Sequence, residues 1–236
     1  MPEPRVHLWV WRVPIRRLPS ALGRMGLDRL RLRDTRGLTF AKLLGTGSGT
    51  TFTLRDADLH HWALLTVFDS EQAAAHFAAG PIVASWNALA AEQLRVDLRP
   101  LTSRGRWAGQ EPFAAPVPHR WDGPVAAITR ARILTSQWRR FWAHVPPVAA
   151  DLRERDGLLM SMGIGEAPVG LQGTFSMWTD NAALTAFAQR GAAHRHVVDQ
   201  THRLRWYDEE LFARFAVTGS AGTFNGRSLP TGDAAP

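Results

Sequence analysis

A pattern of a strand, an aspartate, a helix and a glycine occurs twice in this chain of 236 residues. In the first half WALLTVFD ends at Asp69, and the following segment SEQAAAHFAAG ends at Gly80. In the second half GTFSMWTD ends at Asp180, and NAALTAFAQRG ends at Gly191, so eleven positions separate aspartate and glycine in both copies. We expect each aspartate to cap a helix and each glycine to end it in the left-handed conformation. The repetition predicts two copies of one structural unit.

Matching segments also lie upstream of this pattern. GLTFAKLLGTG from Gly37 and GLLMSMGIGEAP from Gly157 are typical of strands, as are VHLWVWRV from Val6 and VAAITRARI from Val125. A basic segment with helical periodicity follows each of the last two, and in the second copy its apolar stripe includes Trp142. A further helix and strand complete each copy.

This order of elements predicts an α+β protein of two tandem duplicated ferredoxin-like units, each with helices on one face of an antiparallel sheet. Because the open faces of two such sheets can bury each other, we predict a dimeric α/β-barrel-type fold with a cavity between the sheets. The predicted units are residues 1–108 for the first repeat, 109–124 for a proline-rich linker and 125–222 for the second repeat. Residues 223–236 are expected to form a disordered C-terminal tail.

Composition excludes several kinds of chemistry. The chain has no cysteine, which excludes disulfides, thiolate nucleophiles, iron–sulfur clusters and cysteine-ligated haem or zinc. It has no apolar run of about eighteen residues and no signal-peptide core near its start, so we expect a cytoplasmic protein. The net charge of +7 favours an anionic partner, although arginines spread over solvated helix faces would explain it equally. Ten tryptophans would suit either an apolar pocket or an ordinary core.

Common nucleotide and hydrolase motifs are missing from the sequence. There is no G-x-S-x-G nucleophile elbow. The segment GTGSGT at 45–50 lacks the Lys-Ser/Thr of a phosphate loop and the following helix of a dinucleotide site. We interpret it as a hairpin turn.

Nine histidines offer better candidates for a metal site. His60 and His61 are adjacent on a predicted strand, so they point to opposite faces and cannot share one metal. On the predicted helix after the second glycine, His194 faces the apolar side, whereas His196 points away. The equivalent position in the first copy is Val83, so one copy carries an imidazole where the other carries a hydrocarbon. The residues alone leave open whether His194 is a core residue or a ligand.

Six segments, in order and over nearly the whole chain, resemble the spheroidene monooxygenase family of bacteria. They are FAKLLGTG (40–47), RGRWAG (104–109), GPVAAITRARI (123–133), RFWAHVPPV (140–148), MGIGEAP (162–168) and WYDEELFARF (206–215). The resemblance implies an oxygen-dependent oxidoreductase of carotenoid biosynthesis. Such an enzyme introduces a keto group at the end of an acyclic carotenoid.

The resemblance also implies a cofactor, because activation of dioxygen requires a redox centre. Related α/β-barrel enzymes bind haem through one helical histidine, so the resemblance implies His194, in the second repeat, as the ligand of haem iron. The haem propionates would be held by cations in family-like segments, unless these form surface salt bridges instead: Lys42, Arg106 and Arg130. The walls of the substrate pocket would be four tryptophans: Trp62, Trp107, Trp142 and Trp178.

The implied partners are an apolar substrate, dioxygen, an electron donor whose identity the sequence does not give, and the inner-membrane surface, where anionic lipid would attract the positive charge. Two other functions stay open. One is a haem α/β-barrel enzyme that acts on a small molecule, like an aldoxime dehydratase. The other is a non-catalytic basic module that binds RNA. No strand carries an RNP-like run of aromatic and basic residues, which argues against nucleic acid.

Overall fold

The computed structural model describes residues 4–47, 57–113, 120–133, 156–166, 173–190 and 207–232. The strands are β1 (Arg5–Arg12), β2 (Leu38–Gly47), β3 (Ala57–Phe68), β4 (Glu92–Gly105), β5 (Val125–Ile133), β6 (Leu158–Gly165), β7 (Gly173–Trp178) and β8 (Tyr207–Gly222). The helices of the described ranges are α1 (Leu18–Arg33), α2 (Glu71–Ala78), α3 (Pro81–Leu89) and α4 (Asn181–Arg190). A short 3₁₀ turn, Ile15–Arg17, precedes α1.

The eight strands close into one antiparallel barrel in the order β1-β3-β2-β6-β7-β5-β8-β4. This confirms the predicted α+β class and the barrel. Within the first four strands the order is β4-β1-β3-β2, and within the last four it is β8-β5-β7-β6. Strand β2 pairs with β6 only through Gly45–Gly47. The first part of β2 therefore has no β6 partner among the described residues, and we call this gap in the barrel the seam.

Side chains alternate between two environments along each strand. On β1, Val6, Leu8 and Val10 belong to an apolar cluster inside the barrel, whereas Trp9 and Trp11 belong to a second cluster beneath the helices. This alternation follows from the two-residue period of a strand with both faces covered. Most inward side chains of the described strands pack into one apolar core, where the sequence led us to expect a cavity.

The N-terminal caps of α2 and α4 agree with the expected pattern in one copy and are shifted in the other. In the second copy Asp180 Oδ1 accepts a hydrogen bond of 2.8 Å from the Ala183 amide, which confirms the predicted cap. In the first copy the cap is Ser70, which accepts from the Ala73 amide at 3.3 Å. Asp69 instead accepts a hydrogen bond from the Ser70 hydroxyl. The prediction for Asp69 was wrong by one residue.

Gly80 does not end α2 in a left-handed conformation. Its φ is −82° and its ψ is 170°, and it is the residue that precedes α3. Pro81 begins the next helix at once, and proline is favoured at a first helical position. The prediction for Gly80 was therefore wrong, while Gly191 lies outside the described residues.

The C-terminal segment packs against the barrel as far as Gly232. Leu229 is 9% exposed and belongs to the interior cluster, and Phe224 packs against that cluster. The Gly232 amide donates to the Val217 carbonyl at 3.2 Å. The expectation of disorder was wrong for residues 223–232, because these apolar side chains contribute to the core.

Two similar turns follow β4 and β8, at opposite ends of the barrel. Trp107–Gln110 and Phe224–Arg227 each close with paired backbone hydrogen bonds. In each turn the two central residues have positive φ, 55° and 74° in the first and 52° and 75° in the second, as in a type I′ turn. Each turn donates an amide to a glutamate at the start of the other strand: Gly109 to Glu209, and Gly226 to Glu92.

Candidate functional site

Charged side chains converge inside the barrel beside the seam. Lys42 on β2, Arg130 on β5 and Glu209 on β8 occupy inward-facing positions, and Glu166 directly follows β6. The side chain of Arg130 is only 4% exposed. With Trp107 from the turn after β4, these residues form what we call the seam cluster.

Glu166 is the acceptor that links three elements of the seam cluster. Its Oε2 accepts from Lys42 Nζ at 2.9 Å. Its Oε1 accepts from Arg130 Nη2 at 2.8 Å and from Trp107 Nε1 at 2.7 Å. The Arg130 guanidinium also lies 5.1 Å from the centre of a Trp107 ring, within the range of a cation–π contact.

Glu209 is held by the other arm of Arg130 and by the turn. Its Oε1 accepts from Arg130 Nη1 at 2.6 Å and from the Ala108 amide at 2.9 Å, and its Oε2 accepts from the Gly109 amide at 2.7 Å. Two successive residues with positive φ point their amides to one side, and such a turn binds an anion well.

Both carboxylates of the seam cluster stay ionised. Burial alone would raise the pKa of Glu166, but hydrogen bonds from Lys42 and Trp107 and the nearby cationic charges hold this pKa below its ordinary value. Burial also opposes ionisation of Glu209, yet the turn amides and Arg130 lower its pKa. Two negative charges therefore balance the positive charges of Lys42 and Arg130.

A cavity of about 590 Å³ opens at the seam, with the cluster at its edge. Its walls come from α1, the first part of β2, the turn after β4 and Glu166. The described lining residues are Arg29, Leu32, Arg33, Leu38, Thr39, Phe40, Ala41, Lys42, Leu43, Ala108, Gln110 and Glu166. The cavity thus joins mainly apolar residues of β2 to a polar edge, where the described charged residues are Arg29, Arg33, Lys42 and Glu166.

The structure brings together three of the residues proposed from the sequence: Lys42, Arg130 and Trp107. Arg106 is adjacent in sequence but 64% exposed, with its Nε 3.4 Å from Glu111. Trp62 and Trp178 lie in the clusters beneath the helices. Among the residues outside the described ranges are His194 and Trp142. Their proposed roles stay predictions.

Sequence reasoning missed Glu166 and Glu209. Each lies in a segment quoted for the family resemblance, MGIGEAP and WYDEELFARF, beside no recognisable motif. The sequence contained only an indirect indication of these two residues. Two of the family-like segments contain acidic residues, and two others contain basic residues that could pair with them.

The described residues do not by themselves supply a fit for haem. Propionates beside Lys42 and Arg130 would add negative charge next to Glu166 and Glu209, which already neutralise both cations. No group of three or more His, Asp or Glu side chains in the described ranges could hold a metal ion. The predicted iron ligand, His194, lies outside those ranges.

No helix in the described part of the chain combines the length and the apolar character needed to cross a membrane.

No protein-family model matches the chain. The chain is 38% identical over 216 residues to the spheroidene monooxygenase of Rhodobacter capsulatus, and the aligned region covers 89% of this chain and 88% of that protein. It is 34% identical over 215 residues to the spheroidene monooxygenase of Cereibacter sphaeroides, with 90% and 66% coverage. Among solved structures, an aldoxime dehydratase superposes with a TM-score of 0.56 at 9% identity, over 91% of this chain and 81% of that one. This last similarity concerns the fold alone.

Proposed function

The chain belongs to the spheroidene monooxygenase family, and from this we propose that it is an oxygen-dependent monooxygenase acting on an acyclic carotenoid or a similarly apolar substrate. The observation that carries the proposal is 38% identity over 89% of the chain to a relative of that name. Its partners are then an apolar small molecule, dioxygen and an electron donor. A keto product requires two hydroxylations at one carbon followed by loss of water.

We place the reacting end of the substrate in the seam cavity. Leu38, Phe40 and Leu43 line the cavity with apolar side chains, and Phe40 packs against the buried Trp107 with 5.6 Å between ring centres. Lys42 and Glu166 form the polar edge, with side chains 19% and 31% exposed. The charges of Lys42 and Glu166 cancel each other. This edge can therefore orient an oxygen-bearing group of the substrate while the rest of the cavity binds its apolar chain.

We propose haem as the redox centre, with His194 as its iron ligand. Bound haem would supply the activation of dioxygen, which no amino-acid side chain performs. The family resemblance supports this proposal, and the absence of cysteine restricts an axial ligand to other side chains. Purified protein should show a Soret absorbance band that His194→Ala removes, whereas His196→Ala should retain it. A colourless wild-type protein, even when produced with added haem precursor, would contradict this part.

The activity is tested by supplying an acyclic carotenoid, an electron donor and air to the purified protein. We expect a product with one oxygen more and two hydrogens fewer, absent under argon. Conversion of an aldoxime with no carotenoid oxidation would favour a dehydratase. Binding of RNA that falls steeply with salt, without either activity, would favour an RNA-binding module.

We propose that the barrel arose from two ferredoxin-like repeats. Support comes from the equal strand order of the two halves and from the two turns, since Gly105 and Gly222 lie 117 positions apart, as do Glu92 and Glu209. The register agrees as well: Leu94 pairs with Gly222 and Leu211 with Gly105, as a two-fold axis between β4 and β8 would require. The two halves, produced separately, should associate through their β4 and β8 strands, and this would add support. Halves that refold only as independent monomers would count against the proposal.

A further inference from the structure

Helix α1 carries apolar residues on two opposite faces. One face packs into the protein through Ala21, Met25 and Leu32. On the other side Leu22, Leu27 and Leu30 are 49%, 47% and 58% exposed, and the preceding Ile15 is 71% exposed. A surface helix normally exposes polar side chains to water, so this apolar stripe indicates a binding surface.

Arginines border the stripe on both sides. At 100° per residue, Arg24 and Arg31 fall along one edge of the outward leucines, and Arg29 and Arg33 fall along the other. Residues 15–33 contain six arginines and one acidic residue, Asp28, which is fully buried. The surface is therefore both apolar and strongly cationic.

We propose that this outer face of α1, defined by Ile15, Leu22, Leu27 and Leu30 with the flanking arginines, docks onto an anionic lipid bilayer. Arginine stems can lie along apolar surface while their guanidinium groups reach the phosphates of the headgroups. Leucines between them can insert to a shallow depth, as in helices that lie in the membrane interface. A second copy of the chain is a poor alternative, because two such faces would bring like charges together.

Two glycines within α1 fit the same partner. No atom of the described residues lies within 4 Å of the position that a Cβ would occupy at Gly23 or at Gly26, so packing against these residues does not require glycine at either site. Both residues lie among the outward leucines, at a cost in helix stability. Their small size lets the helix backbone approach a flat surface closely.

The position of α1 links this surface to the seam cavity, and this step rests on the proposed function. Arg29, Leu32 and Arg33 of α1 line the cavity. A substrate dissolved in the bilayer could therefore enter the cavity from the lipid, without crossing water. The bilayer would act as both docking surface and substrate reservoir.

Vesicle sedimentation tests the docking without any substrate. Wild-type protein should bind vesicles of phosphatidylglycerol and phosphatidylcholine more tightly than vesicles of phosphatidylcholine alone, and high salt should weaken this binding. The variant Leu22→Ser/Leu27→Ser/Leu30→Ser should bind at least tenfold more weakly. Leu59→Ser is the matched control, because Leu59 is 48% exposed but lies on β3. Thermal unfolding of each variant checks that it is folded.

A variant that lacks two arginines separates the electrostatic contribution to vesicle binding from the apolar one. Arg24→Gln/Arg33→Gln, one arginine from each edge of the stripe, should lower binding to anionic vesicles roughly tenfold, as expected for two arginines at a charged membrane. Arg120→Gln/Arg227→Gln removes the same charge from exposed positions outside α1 and should change binding much less. Equal losses in both pairs, or unchanged binding of the triple serine variant, would overturn the proposal. So would a wild-type dimer in solution that the triple serine variant dissociates.

Delivery of the substrate is tested by comparing two carotenoid preparations. The triple serine variant should lose at least tenfold activity on carotenoid embedded in anionic vesicles and keep wild-type activity on carotenoid in detergent micelles. Equal activity of variant and wild type on vesicles would overturn delivery through α1. A wild-type protein that binds vesicles but oxidises carotenoid in neither preparation would refute the proposed function and leave the docking intact.

Discussion

Arg130 connects the two carboxylates of the seam cluster from a position that is almost fully buried. Replacing it by methionine would fill similar space but leave Glu166 and Glu209 with only Lys42 to neutralise them. Loss of one partner from a buried ion pair typically costs about 3–5 kcal/mol. We expect Arg130→Met to lower the free energy of unfolding in urea by about 3 kcal/mol. Arg120→Met, at a side chain 90% exposed, is the control and should change it by less than about 0.5 kcal/mol.

Arg130→Lys refines this prediction. Lysine keeps the charge but cannot donate to two carboxylates with the fixed fork of a guanidinium. It should recover only part of the stability lost in the methionine variant. Full recovery would mean that charge alone, without the paired hydrogen bonds, holds the cluster together.

Asp28 supplies the acceptor for a buried indole beneath α1. Its Oδ2 accepts from Trp86 Nε1 at 3.1 Å, and both side chains are fully buried. Asp28→Ala leaves that N–H without its acceptor and should lower the free energy of unfolding by about 1–3 kcal/mol. Asp28→Asn retains a carbonyl oxygen and should cost clearly less. Equal losses for alanine and asparagine would show that the charge, and its contact with Arg31, matters more than the hydrogen bond.

The elements of this fold differ in how accurately the sequence predicts their bounds. Strands such as β1 and β5 were predicted with bounds within one residue, because alternating side chains face two apolar layers. Helix ends were less predictable: Ser70 displaced Asp69 as a cap, and Pro81 began a new helix directly after Gly80. The outward leucines of α1 were not recognised, since periodicity reveals one buried stripe and does not report exposure.

The candidate site was predictable in part for a related reason. Lys42, Trp107 and Arg130 were named because they lie in family-like segments. Their contact with Glu166 and Glu209 depends on pairing between strands far apart in sequence, which local patterns do not encode. The carboxylates could be recognised only when the barrel brought β5, β6 and β8 together.

Helix α1 should become more stable when its glycines are replaced. Gly23→Ala and Gly26→Ala each remove backbone entropy from the unfolded chain, and an added Cβ meets open space. Each should raise the free energy of unfolding by about 0.5–1 kcal/mol, measured by urea unfolding. Gly37→Ala is the contrasting control, because Gly37 has a φ of +74° and an added Cβ would lie 2.5 Å from Ala73 Cβ. A gain at Gly37 would contradict this account.

At the scale of the whole molecule, the two ends of the barrel share a turn but differ in charge. Each end has a glutamate that accepts from the turn amides, Glu209 at one and Glu92 at the other. The residue that pairs with Leu211 on β5 is Arg130, whereas the residue that pairs with Leu94 on β1 is Val10. If the proposed duplication is correct, one copy kept a hydrocarbon where the other acquired a buried cation. Under the proposed function, this difference supports the choice of the seam end as the site of substrate binding.

Acid should destabilise the whole barrel through the carboxylates that it holds ionised. The pKa values of Glu92, Glu166 and Glu209 are all lowered in the folded state despite the opposing effect of burial. The unfolded chain binds protons first, near the ordinary glutamate pKa of about 4.3, so this stabilisation is complete above that pH and is lost as pH falls through the folded values. We expect the melting temperature to fall steeply below about pH 4.3.

Glu209→Gln should be less stable at neutral pH and show a shallower acid dependence, while Glu111→Gln, at a side chain 70% exposed, should follow the wild type. Parallel acid curves for Glu209→Gln and wild type would show that the seam cluster does not carry this dependence.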